Sequence, residues 1–200
     1  PLHAAAGTMT DPLTSQERQL LLTIARSAIT QAFDCPEPEE LDLDRLPPAL
    51  QECGASFVTL TIGGRLRGCI GTLQAYQPLA EDVRQHALAA AFEDFRFPPV
   101  RREEVPFLRI EISRLTPPQP LHYESPQDLL KLLRPGVDGV VMEHAGRRAT
   151  FLPQVWEQIP DPVDFLDALC RKMGAPRRCW CDPGVKVSVY QVECFSEDCP

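Results

Sequence analysis

The sequence predicts an α+β fold in which a mainly antiparallel sheet is flanked by helices. Three observations predict it. Strand-like segments come in neighbouring pairs joined by short glycine-bearing turns, which is how antiparallel ladders connect. Helical stripes fall between those pairs rather than after every strand, so a doubly wound parallel sheet is not indicated. Neither a G-x-G-x-x-G fingerprint nor a P-loop occurs, which removes the usual sign of dinucleotide or ATP use.

Taken in order, residues 1–8 lack the charged start and apolar stretch of a secretion signal and precede Met9; they are expected to be a foreign leader outside the fold. A helix is expected from Ser15 to Phe33. Thr14 and Glu17 form a capping box, and Leu20, Ile24, Ala28 and Phe33 follow a helical stripe. Cys35 to Pro48 is acidic and punctuated by proline, hence a loop. Ser56 to Gly71 reads as a hairpin turning at Gly63-Gly64. An odd, three-residue loop is expected there, because it places Val58, Leu60 and Ile62 on one face with Leu66 and Ile70. Thr59, Thr61, Arg67 and Cys69 then share the other face, and Gly68, opposite Cys69, leaves room for another element.

A second helix runs from Pro78 to Phe92, with Leu79, Val83, Ala87 and Ala90 or Ala91 on its apolar side. Arg96-Phe97-Pro98-Pro99 ends it, since a residue before proline avoids α geometry. Phe107 to Leu115 alternates as a strand. Ser125 opens a short helix through Leu133. Val137–His144 and Ala149–Leu152 pair around Ala145-Gly146-Arg147. Pro153 starts a helix through Ile159, and Asp161-Pro162 another that runs to Met173 and stops at Gly174. Val185 to Phe195 is expected to be one final strand.

At 200 residues, 44% hydrophobic and 24% charged, the chain can bury a core without disulfides or metals. Its net charge of −8 disfavours bulk binding to nucleic acid or anionic membrane, so no nucleic-acid partner is supported. No apolar run is long enough to span a bilayer. The eight cysteines, with no secretion signal, fit reduced thiols and a cytoplasmic location. Cys179, Cys181, Cys194 and Cys199 would supply four thiolates for zinc, but their spacings are not paired C-x2-C knuckles. No metal and no cofactor is assigned.

The run Leu66-Arg67-Gly68-Cys69-Ile70-Gly71-Thr72 resembles the signature of the AMMECR domain family. Asp94-Phe95-Arg96-Phe97-Pro98-Pro99, Ile110-Glu111-Ile112-Ser113 and Thr150-Phe151-Leu152-Pro153-Gln154-Val155-Trp156 match three further family segments in order and spacing. The likeness covers 13–195, read as a single AMMECR-like domain of two closely packed lobes. One departure is Asp138-Gly139, where many microbial members carry His-Gly; no ligand role is placed there. The resemblance implies no settled activity. It implies kinship with protein A of the AmmeMemoRadiSam set, whose companions are a Memo-type protein and a radical S-adenosylmethionine enzyme. Lacking a C-x3-C-x2-C motif, this chain is not expected to be the radical initiator.

The candidate centre is therefore Cys69. A thiol near a cation ionises more readily, and Arg67 stands two residues away. Gly68 and Gly71 would let a substrate approach the backbone. Arg67 and Arg96 are suited to a carboxylate or phosphate, or to ion pairs with Asp94 or Glu111. Glu111 stands either as an acid or base or as a solvated strand carboxylate. His86 is expected on the helix surface, with a role as base to a thiol the weaker reading. Trp156, Phe165 and Trp180 are expected in the core. Three readings stay open: a catalytic or accessory subunit acting through Cys69, a non-catalytic adaptor or ligand-binding protein using the same cleft, and a folding nucleus without further role.

Overall fold

The computed structural model describes residues 12–34 and 41–197. In chain order the elements are α1 (Ser15–Gln31), α2 (Pro48–Gln51), β1 (Cys53–Ile62), β2 (Arg65–Gly71), β3 (Gln77–Pro78), α3 (Leu79–Phe92), β4 (Leu108–Leu115) and β5 (Gln119–Pro120). They continue with α4 (Pro126–Leu132), β6 (Gly139–His144), β7 (Arg147–Phe151), α5 (Pro162–Lys172), β8 (Lys186–Tyr190) and β9 (Val192–Ser196). The described residues fall into two compact units: 12–115 (apart from 35–40) with 193–197, and 116–192. Each is an antiparallel sheet covered by helices, so the α+β expectation holds.

The first unit has strands in the order β2-β1-β4-β9, with β3 also paired to β1. Its α1 begins as the sequence requires. Thr14 Oγ1 accepts from the Glu17 N–H, and the Glu17 carboxylate returns to the Thr14 N–H at 2.8 Å. Leu21, Ile24, Ala25, Ala28 and Ile29 bury one stripe of α1. Leu21, Ile24, Ala25 and Ile29 pack with Val83, Ala87 and Ala90 of α3 over Val58, Leu60, Ile110 and Ile112 of the sheet. Those four strand residues are fully buried, and each contributes about 1.5–3 kcal/mol of apolar burial.

The hairpin corrects the expected three-residue loop. Ile62 pairs with Arg65, so the turn is the two residues Gly63-Gly64, both at positive φ (55° and 76°). Face parity is restored further along instead. Thr61 pairs with Leu66 but Leu60 pairs with Gly68, which leaves Arg67 as an extra residue in a bulge. Val58, Leu60, Gly68 and Ile70 therefore still share the core face. Leu66, expected with them, lies opposite Thr61 and is exposed.

The second unit orders its strands β5-β8-β6-β7. Trp156 and Phe165 stack face to face at 3.6 Å between centroids, and both are buried, as expected of core residues. Buried Trp180 joins the same cluster. Asp161 caps α5 by accepting from the Val163 and Asp164 N–H groups. The helix expected from Pro153 is a 3-10 turn, Pro153–Glu157. The expected final strand is two strands in two sheets. The break falls at Gln191, whose N–H donates to Thr116 Oγ1 and whose carbonyl accepts from the Thr116 N–H. Of the loop expected over 35–48, residues 35–40 lie outside the described residues, and the rest contains a 3-10 turn, Leu43–Arg45, before α2.

Candidate functional site

β2 is the terminal strand of the first sheet, so alternate backbone groups along it face away from β1. Cys69 is one of those residues. Its N–H donates to Asp94 Oδ2 at 2.9 Å, and its carbonyl accepts from Arg96 Nη2 at 3.0 Å. The Asp94 and Arg96 side chains thus replace a neighbouring strand. They are themselves joined by two bonds, Arg96 Nε to Oδ1 at 2.8 Å and Nη2 to Oδ2 at 2.6 Å. Asp94 is buried, and the Arg96 guanidinium, with the Cys69 and Arg96 N–H groups, holds its carboxyl well below the usual carboxylate range. Asp94 in turn raises the Arg96 pKa. The short helix-to-strand connector that reads Asp94-Phe95-Arg96-Phe97-Pro98-Pro99 is therefore a clamp on the backbone of Cys69. Between its two charged residues, Phe95 is 94% exposed.

Because both backbone groups of Cys69 point outward, it forms the close, non-hydrogen-bonded type of pair with Thr59 across the ladder. Thr59 Oγ1 donates to Cys69 Sγ at 3.2 Å. On its other side Thr59 pairs with Glu111, so Cys69, Thr59 and Glu111 form one cross-strand row on the face opposite the core. Cys69 is half-buried and Glu111 exposed.

Arg67 is held differently from either partner the sequence suggested. Its guanidinium makes a bidentate pair with Glu104, Nε to Oε1 at 2.9 Å and Nη2 to Oε2 at 3.1 Å, and Nη2 also reaches the Pro99 carbonyl. Arg67, then the Arg101 N–H, lower the Glu104 carboxyl to about 2. Asp94 and Glu111 take no part. A cleft of about 410 Å³ opens beside this pair, lined by Arg67, Phe97, Pro98, Pro99, Arg101 and Glu104.

The glycines of the motif face protein. A Cβ on Gly68 would lie 2.0 Å from the Ala90 carbonyl oxygen, so α3 occupies the space that glycine leaves. A Cβ on Gly71 would lie 2.4 Å from the Ser56 carbonyl oxygen on β1. His86 is a correction: it is buried, not on the surface. Its Nδ1 lies 3.2 Å from Asp82 Oδ2, which also accepts from Ser56 Oγ at 2.6 Å. Asp82 and Ser56 are fully buried. The i,i+4 spacing of Asp82 and His86 on one helix was the signal that could have found this pair. Glu104 and Thr59 gave no such signal, since each meets its partner only through the fold.

Among the described residues, no group of three or more His, Cys, Asp or Glu lies close enough to hold a metal ion. Cys179 is buried and Cys181 exposed in the second unit, while Cys194 sits on β9 of the first sheet, 3.3 Å from Ser113 Oγ. Cys199 lies outside the described residues. Asp138, at the position where the family pattern departs, is buried in a bidentate pair with Arg134 and also accepts from Gln191 Nε2 at 3.0 Å. No helix among the described residues is long and apolar enough to cross a membrane.

Comparison with known proteins agrees over nearly the whole chain. The model of the family described as AMMECR1 matches residues 22–195. A protein of Methanothermobacter thermautotrophicus is 40% identical over 188 residues, covering 94% of this chain and 97% of that relative. One from Thermofilum pendens is 36% identical over 199 residues, covering 94% and 93%. The crystal structure of an uncharacterized Pyrococcus horikoshii protein shares the fold at a TM-score of 0.74 and 34% identity, covering 94% of this chain and 95% of that one.

Proposed function

This chain belongs to the AMMECR1 family, and from that premise we propose that it acts, as a catalytic or accessory subunit, through the thiol of Cys69. The observation that carries this reading is the fixation of Cys69 at three points. Asp94 takes its N–H, Arg96 its carbonyl, and Thr59 donates to its sulfur. A half-buried thiol so placed is ready to act as nucleophile or covalent acceptor, because little ordering remains to be done when a substrate arrives. Gly68 and Gly71 contribute by letting α3 and β1 close on the strand. Arg67 and Arg96 frame the site, and a substrate anion would have to compete with Glu104 or Asp94 for either guanidinium. Glu111, exposed and one residue beyond Thr59 in the row, is a strand carboxylate placed for proton transfer through solvent. The motif resemblance supports a Memo-type protein and a radical S-adenosylmethionine enzyme as partners in a modification reaction.

A second reading rests on Phe95. A fully presented aromatic ring between two clamped residues is the form of an anchor for a protein partner, which would make the same surface an adaptor without turnover. Site-resolved alkylation of the native protein separates the two. On the first reading Cys69 reacts faster than exposed Cys53, Cys181 and Cys194, and Cys69→Ser abolishes function while leaving partner binding intact. If Cys69 is slower than those three and Phe95→Ala alone abolishes capture of the two partners, the adaptor reading replaces it.

A further inference from the structure

Three sulfur atoms meet inside the second unit. Met142 comes from β6, Cys170 from α5 and Cys179 from a 3-10 turn, Cys179–Cys181. Cys170 Sγ lies 3.9 Å from Met142 Sδ, and Cys179 Sγ lies 4.0 Å from it. The two thiols also interact with each other, and all three side chains are sealed from solvent, at 0%, 1% and 0% exposure for Cys170, Cys179 and Met142. Burial, then the Cys170 thiol, push the Cys179 thiol up to about 12, so it keeps its proton at neutral pH.

The spacing has a chemical meaning. Three ligands arranged in a plane around a metal at a sulfur–metal bond length of about 2.3 Å lie about 4 Å from one another. The two Met142–cysteine edges of the cluster thus match the dimensions of a three-coordinate ion. Its donors select the metal. Thiol and thioether sulfur suit soft ions, above all monovalent copper, and do not suit magnesium, calcium or manganese. Zinc wants four ligands in a structural site, and no third His, Cys, Asp or Glu joins the cluster among the described residues. We propose that Met142, Cys170 and Cys179 form a buried binding site for one monovalent copper ion. On loading, copper enters as Cu⁺ and both thiols release H⁺, because the thiolate is the ligand. The thioether binds as a neutral donor, so the loaded site carries one net negative charge, a burial cost that the copper–sulfur bonds must exceed. The site owes nothing to Cys69, which belongs to the other unit.

The test is an anaerobic titration of the reduced full chain with monovalent copper buffered by bicinchoninate. It uses a background in which Cys35, Cys53, Cys69, Cys181, Cys194 and Cys199 are serine, so that Cys170 and Cys179 are the remaining thiols. One equivalent should leave the chelator with release of two protons, and X-ray absorption should find three sulfur neighbours near 2.3 Å. Cys170→Ser and Cys179→Ser should each abolish uptake. Met142→Leu, which keeps the volume of the core, should weaken it at least tenfold. If a serine variant fails to fold by near-ultraviolet circular dichroism, Met142→Leu decides. The proposal is overturned if the folded wild-type cluster takes up no copper, if uptake is unchanged in Met142→Leu, or if equimolar zinc displaces the copper. In the first of those cases the three sulfurs are ordinary core packing.

Discussion

Asp94 in the first unit and Asp167 in the second are nearly the same device. Each is buried, each is paired with an arginine at 2.6 Å, and each accepts a backbone N–H. In both, the arginine lowers the carboxyl pKa, although for Asp167 burial opposes it more strongly than any single bond. What they hold differs. Asp167 takes the Arg178 N–H and the indole N–H of buried Trp180, so it fastens one part of the interior to another. Asp94 takes the N–H of Cys69, a half-buried residue on a strand edge whose thiol is the proposed reactive group. The comparison teaches that a buried, paired carboxylate is not in itself a sign of function. What distinguishes a site is the accessibility and reactivity of the group the carboxylate positions.

The strongest way to sharpen that contrast is at a buried glycine in each unit. Gly68→Ala drives a Cβ into the backbone of α3, which cannot turn aside, and should cost about 3 kcal/mol or more by denaturant unfolding. Gly139→Ala meets the ring of Tyr190 at 2.4 Å, a side chain, and should cost less. Equal losses would mean that α3 moves as freely as a ring. Next is Asp167→Ala, which leaves the Trp180 indole and the Arg178 N–H unmet and should cost about 2–3 kcal/mol. It should leave the alkylation rate of Cys69 unchanged, whereas Asp94→Asn should alter that rate. A change of Cys69 reactivity in Asp167→Ala would break the distinction drawn above.

A smaller effect is set by pH. The Glu104 carboxyl is depressed from 4.5 to about 2 by Arg67 and the Arg101 N–H. A group depressed in the folded state stabilises above its unfolded value and loses that stabilisation as pH falls through the folded value. Stability should therefore decline between about pH 4.5 and about 2, and Glu104→Gln should flatten that part of the curve. An identical acid profile in both proteins would show that the Arg67 pair adds nothing. The smallest stability effect belongs to Thr59→Val, which keeps shape and removes one hydroxyl. It should shift the melting point by no more than a few degrees, with a stability change of about 1 kcal/mol or less, yet slow or speed alkylation at Cys69. No change in rate would remove Thr59 from the site.

Local rules carried the elements into view. The Thr14/Glu17 box, the Gly63-Gly64 turn and the Asp161 cap are all short-range, and each stands where its sequence signal lies. The bulge at Arg67 was hidden because two mechanisms give the same parity. An odd loop and an even loop with one extra strand residue both put Val58 and Leu60 with Ile70, and only the ladder chooses between them. The partners of Arg67 and Cys69 were hidden for another reason. Glu104 is 37 residues from Arg67, and Asp94 is 25 from Cys69. No periodicity reports on pairs that far apart. His86 was misplaced because a histidine reads as a surface residue until its Asp82 partner on the same helix is counted with it. The Val185–Phe195 run was read as one strand because nothing in its composition marks Gln191, where Thr116 takes both backbone groups.

The clamp on Cys69 also bears on self-assembly. An open sheet edge is a template on which a second extended chain can add a rung, and repetition of that step makes fibrils. At Cys69 the donor and the acceptor that such a chain would need are already taken by Asp94 and Arg96. Loss of the clamp would expose a growth point in the middle of β2, and a variant lacking it should seed aggregation before it unfolds.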